Sequence, residues 1–225
     1  MSLLVIVPSR GRPKSIERLM KAWKETTDSA TLLVCVDHDD PTLAEYEQLH
    51  YVDGCELWIL GERLRLGGTL NKIARGNCFF YDNLGFMGDD HLPRTEHWDT
   101  TIEEALETSM IAYGNDLLQG ANLPTAVFMQ SLIVQRISYM VPPGIVHLYL
   151  DNFWRALGEK LESLQYLPGV TIEHLHPSCG KADNDAQYEE VNAPSLYSSD
   201  GALYQEYIKG QLALDVAKIR ANTTA

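Results

Sequence analysis

Four apolar runs of strand length follow one another in the first 90 residues, and a helical pattern separates each of them from the next. The runs lie at 3–7 (LLVIV), 30–41 (ATLLVCVDHDDP), 55–60 (CELWIL) and 81–90 (YDNLGFMGDD). Continuous runs rich in Val, Ile and Leu are typical of strands that are buried on both faces of a parallel sheet. The alternation of strand and helix therefore predicts an α/β domain with a mostly parallel central sheet.

Polar residues follow three of these runs at the point where each strand should end. They lie at 9–12 (SRGR), 37–40 (DHDD) and 89–91 (DDH). In open parallel sheets, ligands bind beyond the carboxyl ends of the strands. The three groups are therefore expected to converge on one binding site at this edge of the sheet.

The second half of the chain has a less regular pattern, without an internal repeat, a low-complexity segment or a linker. It predicts a helix at 95–109, a strand at 110–116, a strand that turns into a helix at 125–139, an amphipathic helix at 149–164, a strand at 169–177 and a helical C-terminal stretch. No run approaches the ~18 apolar residues of a membrane span, and the apolar N-terminus is too short for a secretory signal. One compact domain is the simplest interpretation.

Charge and cysteine content exclude some classes of protein. Lys and Arg number 18 against 31 Asp and Glu, which gives a net charge of −13 and disfavours nonspecific nucleic-acid binding. Basic residues nevertheless concentrate in the first 24 positions and again at 63–75, so an anion site is compatible with the acidic whole. Four cysteines without CxxC spacing argue against a zinc site and favour free thiols in a reducing cytosol.

Two groups of residues have the chemistry of a metal site. Asp89, Asp90 and His91 form either an exposed turn or a divalent cation site, in which carboxylates suit Mg²⁺ and an added imidazole favours Mn²⁺. His174 and His176 alternate along a strand, so both point to the same face. Each histidine is either a structural side chain or a metal ligand.

Other polar residues also have two interpretations. Arg10 and Arg12 are either solvated charges or a phosphate site before a helix, although the loop matches neither a P-loop nor a dinucleotide motif. Asp37 and Asp39 either contact a nucleoside or belong to a solvated turn. Asp151 either caps a helix or accepts a proton from an attacking hydroxyl.

Taken in order, six segments resemble the GT-A glycosyltransferases, especially the small family-2-like enzymes of phage genomes. They are VIVPSRGRP, CVDHDDP, GGTLNKIA, FMGDD, HLYLDNFWRALG and EHLHP followed by GK. The resemblance extends from about residue 3 to about residue 190. It implies a single GT-A domain over 1–225, with a nucleotide-sugar-binding half at about 1–110, an acceptor and metal-histidine half at about 111–190 and a C-terminal helix at about 195–220.

The resemblance also implies an activity and roles for particular residues. A sugar would pass from a nucleoside-diphosphate sugar, most simply a UDP-sugar, to a hydroxyl acceptor such as a hydroxymethylated pyrimidine in phage DNA or a glycan. Asp90 and His176 would bind Mn²⁺ or Mg²⁺, and Asp151 would be the catalytic base. The residues implied for donor binding are Pro8, Ser9, Arg10, Arg12, Asp37, Asp39, Asn71, Lys72, Asp89 and Lys181. The resemblance suggests a cytoplasmic enzyme, in the host cytoplasm if phage-encoded, and is compatible with a homodimer.

Two positions depart from the family pattern. Gly88 stands at the first position of the DxD motif, which leaves Asp89-Asp90-His91 as the alternative triplet, and Leu150 stands where a Glu often precedes the base. Two other functions are kept open. One is a sugar nucleotidyltransferase, which should have a Gly-rich first loop, and the other is a nucleotide-sugar or glycan-binding module without catalysis.

Overall fold

The computed structural model of the chain describes residues 1–176, 180 and 186–221. The strands are β1 (Leu3–Ser9), β2 (Thr31–Asp37), β3 (Cys55–Leu60), β4 (Asn83–Phe86), β5 (His91–Pro93), β6 (Ile111–Asn115), β7 (Val127–Gln130) and β8 (Leu164–His174). The helices are α1 (Pro13–Thr26), α2 (Leu43–Glu47), α3 (Arg65–Asn77), α4 (Trp98–Leu106), α5 (Ser131–Ile137), α6 (Leu150–Leu161), α7 (Ala186–Val191), α8 (Pro194–Glu206) and α9 (Leu212–Arg220).

The strands form one eight-stranded sheet in the order β3-β2-β1-β4-β7-β6-β8-β5. Strands β3, β2, β1 and β4 run parallel to one another, and β6 is parallel to β8. Strand β7 is antiparallel to both of its neighbours, and β5 is antiparallel to β8. The expected α/β class and mostly parallel sheet are therefore confirmed. The antiparallel pairs lie in the half of the sheet that contains β6, β7 and β8, whose sequences have the less regular pattern.

Strand β1 shows why the first apolar run is continuous. Its side chains alternate between the two faces of the sheet, and each face is covered by helices. Leu4 and Ile6 lie in a cluster with residues of α3, whereas Val5 and Val7 lie in a second cluster with Trp23 of α1. Full burial of each such side chain is favourable by about 1.5–3 kcal/mol, so the run fixes β1 at the centre of the sheet.

The fourth predicted strand is shorter than expected, and a strand that the sequence did not reveal follows it. Strand β4 ends at Phe86, and after a turn β5 pairs with β8 in a register that places His91 opposite His174. A three-residue strand that ends in proline has too short a pattern to detect. The consequence of this pairing is that two histidines far apart in sequence are brought side by side.

The C-terminal stretch is helical but interrupted. A π-helical segment, Tyr207–Gln211, joins α8 to α9, and Tyr207 and Val216 pack in the cluster that also contains Trp154 of α6. The buried Asp215 carboxylate accepts hydrogen bonds from Tyr207 and Tyr139. The stretch therefore covers the α3–α5–α6 side of the sheet.

Two compositional expectations can also be compared with the structure. Cys35, Cys55 and Cys78 are buried free thiols, as expected, whereas Cys179 lies outside the described residues. Within the described ranges, no helix combines the length and apolarity that a membrane crossing requires.

Candidate active site

A cavity of about 460 Å³ lies where the carboxyl ends of β1, β2 and β4 meet. Its walls include residues from each of the three polar groups that follow predicted strands, as well as Asp151, His174 and His176. Ligand pockets commonly span ~300–1,000 Å³, so the volume suits a small-molecule ligand. The expected convergence of strand ends is therefore what the structure shows.

Asp89 holds two of these strand ends together. Its buried carboxylate accepts a hydrogen bond of 2.6 Å from Ser9 Oγ and an ion-paired one of 3.1 Å from Arg12. Ser9 Oγ also lies 2.7 Å from the Tyr46 hydroxyl. Burial raises the pKa of Asp89 to about 6, although Arg12 acts in the opposite direction. Arg12 and Asp89 are therefore engaged with each other at the floor of the cavity.

Asp90, His91 and His174 form a cluster with the chemistry of a metal site. Asp90 Oδ1 lies 3.2 Å from His91 Nδ1, and Asp90 Oδ2 lies 3.4 Å from His174 Nε2. One possible ligand atom from each residue falls within 4.8 Å of the others. Burial alone would raise the pKa of Asp90, but the adjacent imidazoles of His174 and His91 hold it well below its usual range. The carboxylate is thus ionised at any pH near neutrality.

The cluster fits Mn²⁺ or Mg²⁺ by the nature of its donors. A carboxylate with two imidazoles suits Mn²⁺ better than Mg²⁺, which prefers oxygen ligands. His174 Nδ1 is buried without a hydrogen-bond partner in the described part of the chain, which is unusual for a buried polar atom. The rings of His91 and His174 are stacked with their centres 4.2 Å apart, and each presents one nitrogen, Nδ1 of His91 and Nε2 of His174, to the Asp90 carboxylate.

His91 is oriented by residues for which the sequence gives little signal. His91 Nε2 lies 3.4 Å from Thr125 Oγ1, which donates a 2.8 Å hydrogen bond to Asp116. Asp116 in turn accepts hydrogen bonds from the backbone N–H groups of residues 118–120. Burial would raise the pKa of Asp116, but these N–H groups lower it. Such outer contacts set the ring orientation of a metal-binding histidine.

The space beside the cluster leaves no room for a side chain at Gly88 unless Asp90 and His91 move. Its backbone N–H donates a 3.0 Å hydrogen bond to His91 Nδ1. A Cβ atom at this position would lie 2.5 Å from Asp90 Oδ1 and 2.8 Å from His91 Nδ1, closer than real Cβ atoms come to other atoms. The departure from DxD at this position therefore has a steric cause.

Of the two histidines that the sequence left open, His174 is the one within reach of Asp90. His176, the residue implied as the metal ligand, lines the same cavity, with its ring centre 5.0 Å from that of His174. Its ring also contacts Tyr188 of α7, with centres 5.4 Å apart. His176 thus stands beside the Asp90–His91–His174 cluster and not within it.

Asp151 lies in the first turn of α6 and lines the cavity. Tyr149, in the left-handed conformation with φ 65°, is the N-cap of this helix, so the capping interpretation of Asp151 is wrong. Burial raises the pKa of Asp151 to about 6. A carboxylate with this pKa is largely ionised at pH 7 and binds a proton readily, which is the property of a general base.

Arg10 joins the two acids implied for nucleoside binding. Its guanidinium donates to Asp39 Oδ1 at 2.7 Å and to Asp37 Oδ2 at 3.3 Å. Burial raises the pKa of Asp37, while Arg10 partly offsets this effect. Arg10 and Asp37 line the cavity together with Pro8, whereas Asp39 is more exposed and is not part of the cavity wall.

Three other residues implied for donor binding are placed differently. Asn71 is bonded to the backbone of Met140 and Val141, so it fixes a loop and does not line the cavity. Lys72 lies on the surface, 3.3 Å from Glu62, and is likewise absent from the cavity wall. Both side chains leave α3 away from the cavity, which instead contains Leu66 and Thr69. Lys181 lies outside the described residues.

The structure adds Arg63, Arg65 and the 146–149 loop to the cavity wall. The concentration of basic residues at 63–75 is visible in the sequence, but their order along the chain does not show that Arg63 and Arg65 face the cavity whereas Lys72 does not. The loop is held by Asp200, a fully buried acid of α8 that accepts hydrogen bonds from the N–H groups of Val146, His147 and Leu148 at 2.8–3.2 Å. Burial lowers the pKa of His147 to about 4, so its ring is neutral at pH 7.

Comparisons with known proteins give a fold and no family. No family model matches the sequence, and no curated protein matches it significantly. A mannosyltransferase from Pyrobaculum calidifontis, solved with GDP-Man and Mn²⁺, matches 97% of this chain and 73% of its own at 13% identity, with a TM-score of 0.61. TarS of S. aureus, solved with UDP, matches 93% of this chain and 72% of its own at 12% identity, with a TM-score of 0.59.

A third solved structure extends the same comparison. Glucosyl-3-phosphoglycerate synthase of Mycobacterium tuberculosis, in complex with Mn²⁺, UDP and phosphoglyceric acid, matches 92% of this chain and 78% of its own. The identity is 11% and the TM-score is 0.60. At such low identity the likeness concerns the arrangement of helices and strands. The chain therefore has the GT-A fold of these glycosyltransferases.

Proposed function

We propose that the chain is a metal-dependent glycosyltransferase, which transfers a sugar from a nucleoside-diphosphate sugar to a hydroxyl group. The observation that carries the proposal is the Asp90–His91–His174 cluster at the strand-end cavity of a GT-A fold. A carboxylate and imidazoles at this position could hold Mn²⁺ or Mg²⁺. A bound divalent cation would neutralise the negative charge that develops on a departing diphosphate.

The donor is assigned to the β1–β2–β4 side of the cavity. Asp37 can accept hydrogen bonds from a ribose or a base, and Arg10 holds it in place. Asp89, fixed by Ser9 and Arg12, sets the backbone path that leads into Asp90. A UDP-sugar is the first donor to test, with GDP-sugars next.

The acceptor is assigned to the side of the cavity that contains Asp151. The acceptor oxygen attacks the anomeric carbon, the bond from that carbon to the diphosphate oxygen breaks, and the hydroxyl proton passes to Asp151. The raised pKa of Asp151, about 6, suits this role near neutral pH. A glycan or small-molecule hydroxyl is preferred to a hydroxymethylated pyrimidine in DNA, because the net charge of −13 opposes a polyanionic duplex.

A thermal-shift panel tests the donor and the metal together. UDP-, GDP-, dTDP- and CMP-sugars are each offered with Mn²⁺ and with EDTA to the wild type, Asp90→Asn and the exposed-turn control Asp53→Asn. A ligand at 100 times its dissociation constant adds about 2.7 kcal/mol of stability. We expect one nucleotide sugar to stabilise the wild type and the control when Mn²⁺ is present and not when EDTA is present. A shift that survives in Asp90→Asn or in EDTA would contradict the metal assignment, and no shift with any donor would contradict the function.

A further inference from the structure

Two arginines of the cavity wall bind a carboxylate that comes from a different part of the chain. Arg63 lies between β3 and α3, and its guanidinium contacts both oxygens of Glu190 at 2.9 Å. Arg65, the first residue of α3, contacts one of the same oxygens at 2.6 Å. Glu190 belongs to α7, so one carboxylate joins two arginines to that helix.

The backbone at Arg65, where α3 begins, has an unusual conformation. Arg65 has φ 58°, in the left-handed region that residues with a side chain rarely adopt. Such conformations concentrate at ligand-binding and switch regions, because the surrounding structure has to hold them in place. Here the conformation directs a second guanidinium to the carboxylate that Arg63 already binds.

Helix α7 is part of the cavity as well as the partner of the arginines. Tyr188 and Val191 of α7 line the cavity, as do Arg63 and Arg65 on the opposite side of the ion pair. The ion pair therefore attaches one wall of the cavity to another. A change in what the arginines bind would change how α7 is held.

The remaining cavity arginines have partners within the strand ends themselves. Arg10 is bonded to Asp37 and Asp39, and Arg12 to Asp89. The carboxylate bound to Arg63 and Arg65, by contrast, belongs to Glu190 of the short helix α7, and the Glu190 side chain is 37% exposed. Ion pairs with this exposure are weak enough for a competing anion to replace them.

We infer that Arg63 and Arg65 form a phosphate-binding site for the diphosphate of the donor, and that Glu190 occupies this site when no donor is bound. The inference rests on the proposed function. Guanidinium groups bind phosphate oxygens in the same bidentate manner as carboxylate oxygens, so the two anions compete for the same donors. Donor binding then releases α7 from the arginines, and the carboxylate reduces the apparent affinity for the donor.

The competition predicts a rise in affinity when the carboxylate is neutralised. Glu190→Gln should bind inorganic pyrophosphate about fivefold more tightly than the wild type, because the binding-competent fraction rises. Glu189→Gln is the matched control, since Glu189 is the exposed neighbour on the same helix. The double variant Arg63→Gln, Arg65→Gln should bind pyrophosphate at least about tenfold more weakly, whichever residue stands at position 190.

The experiment is calorimetric titration of pyrophosphate in EDTA, which removes any metal contribution, followed by UDP and GDP with Mn²⁺. Unchanged or weaker pyrophosphate binding by Glu190→Gln would overturn the inference, since it would make Glu190 a structural partner only. Hydrogen exchange of the wild type provides a measurement without a variant. Pyrophosphate should speed amide exchange at 188–192, and slower or unchanged exchange would contradict the release of α7.

The two proposals fail in distinguishable ways. If pyrophosphate behaves as expected but no nucleotide binds with Mn²⁺, the arginine site stands and the glycosyltransferase proposal fails. If nucleotides bind with Mn²⁺ while Glu190→Gln leaves the affinities for pyrophosphate and for the nucleotides at their wild-type values, the proposed arginine site fails and the glycosyltransferase proposal stands.

Discussion

Replacing Gly88 by alanine tests whether the geometry around Asp90 and His91 is what binds the metal. The added Cβ would lie 2.5 Å from Asp90 Oδ1 and 2.8 Å from His91 Nδ1, so both side chains would have to move. Overpacking of this kind costs typically about 1–3 kcal/mol of stability. Displacing a group that orients a metal ligand lowers metal affinity by about 10- to 100-fold.

The assay is titration of Mn²⁺ into the purified protein, with free Mn²⁺ measured by electron paramagnetic resonance. Gly88→Ala should bind Mn²⁺ about 10- to 100-fold more weakly and unfold at a lower temperature than the wild type. Gly76→Ala is the control, because no atom lies within 4 Å of a Cβ built at that position of α3. Alanine there should leave Mn²⁺ binding unchanged and stabilise the helix by about 0.5–1 kcal/mol.

Gly88→Asp restores the first acid of the DxD pattern and makes the test stricter. Because its Cβ meets the same two atoms, this variant should bind Mn²⁺ no better than Gly88→Ala despite its additional carboxylate. Wild-type Mn²⁺ affinity in Gly88→Ala, or tighter binding in Gly88→Asp, would show that the cluster is not the metal site in this geometry. Weaker Mn²⁺ binding in the control Gly76→Ala would point to an indirect effect of the substitutions on folding.

Three further predictions follow from buried polar groups. Thr125→Val removes the hydroxyl between His91 and Asp116 and should weaken Mn²⁺ binding about 10-fold, measured by the same titration, with the wild-type value contradicting a positioning role. Asp200→Asn should lower the free energy of unfolding, measured by urea denaturation, by about 2–4 kcal/mol, because one N–H of the 146–148 loop then faces an amide N–H. A loss below about 0.5 kcal/mol would argue against this account. Asp151→Asn should lower turnover by about 10²–10⁴ while donor binding persists. Wild-type turnover should fall as the pH drops through about 6, because protonation of Asp151 removes the base, and a pH-independent rate would contradict this role.

The parallel half of the sheet could be predicted because each of its strands carries its own signal. A strand such as β1 is buried on both faces, so its apolar character depends on no other part of the chain. Strand β5 has only three residues, and its existence depends on pairing with β8, which lies about 80 positions later. Local pattern carries no information about such a pairing, so the register that joins His91 to His174 could not be read from the sequence.

The same limit explains the choice between the two late histidines. Alternation along a strand predicts that His174 and His176 share one face; strand β8 ends at His174, yet both histidines line the cavity. Which of them meets Asp90 is decided by the register of β8 against β5, in which His174 stands opposite His91. The basic residues of α3 present a related problem, since the charge of a residue does not reveal its helical phase. Arg65 faces the cavity, and Lys72 faces Glu62 on the surface.

The two departures from the family pattern bear on the rival interpretation of a binding module without catalysis. Gly88 leaves the room that Asp90 and His91 occupy, and an acid in its place would collide with them. Leu150 is 1% exposed and packs in the cluster that contains Phe153 and Trp154, so an acid at that position would be buried in the core without reaching the cavity. Both departures are thus explained by packing next to residues that still face the cavity. They do not favour a loss of catalysis, which would be better supported by the absence of Asp90 or Asp151 themselves.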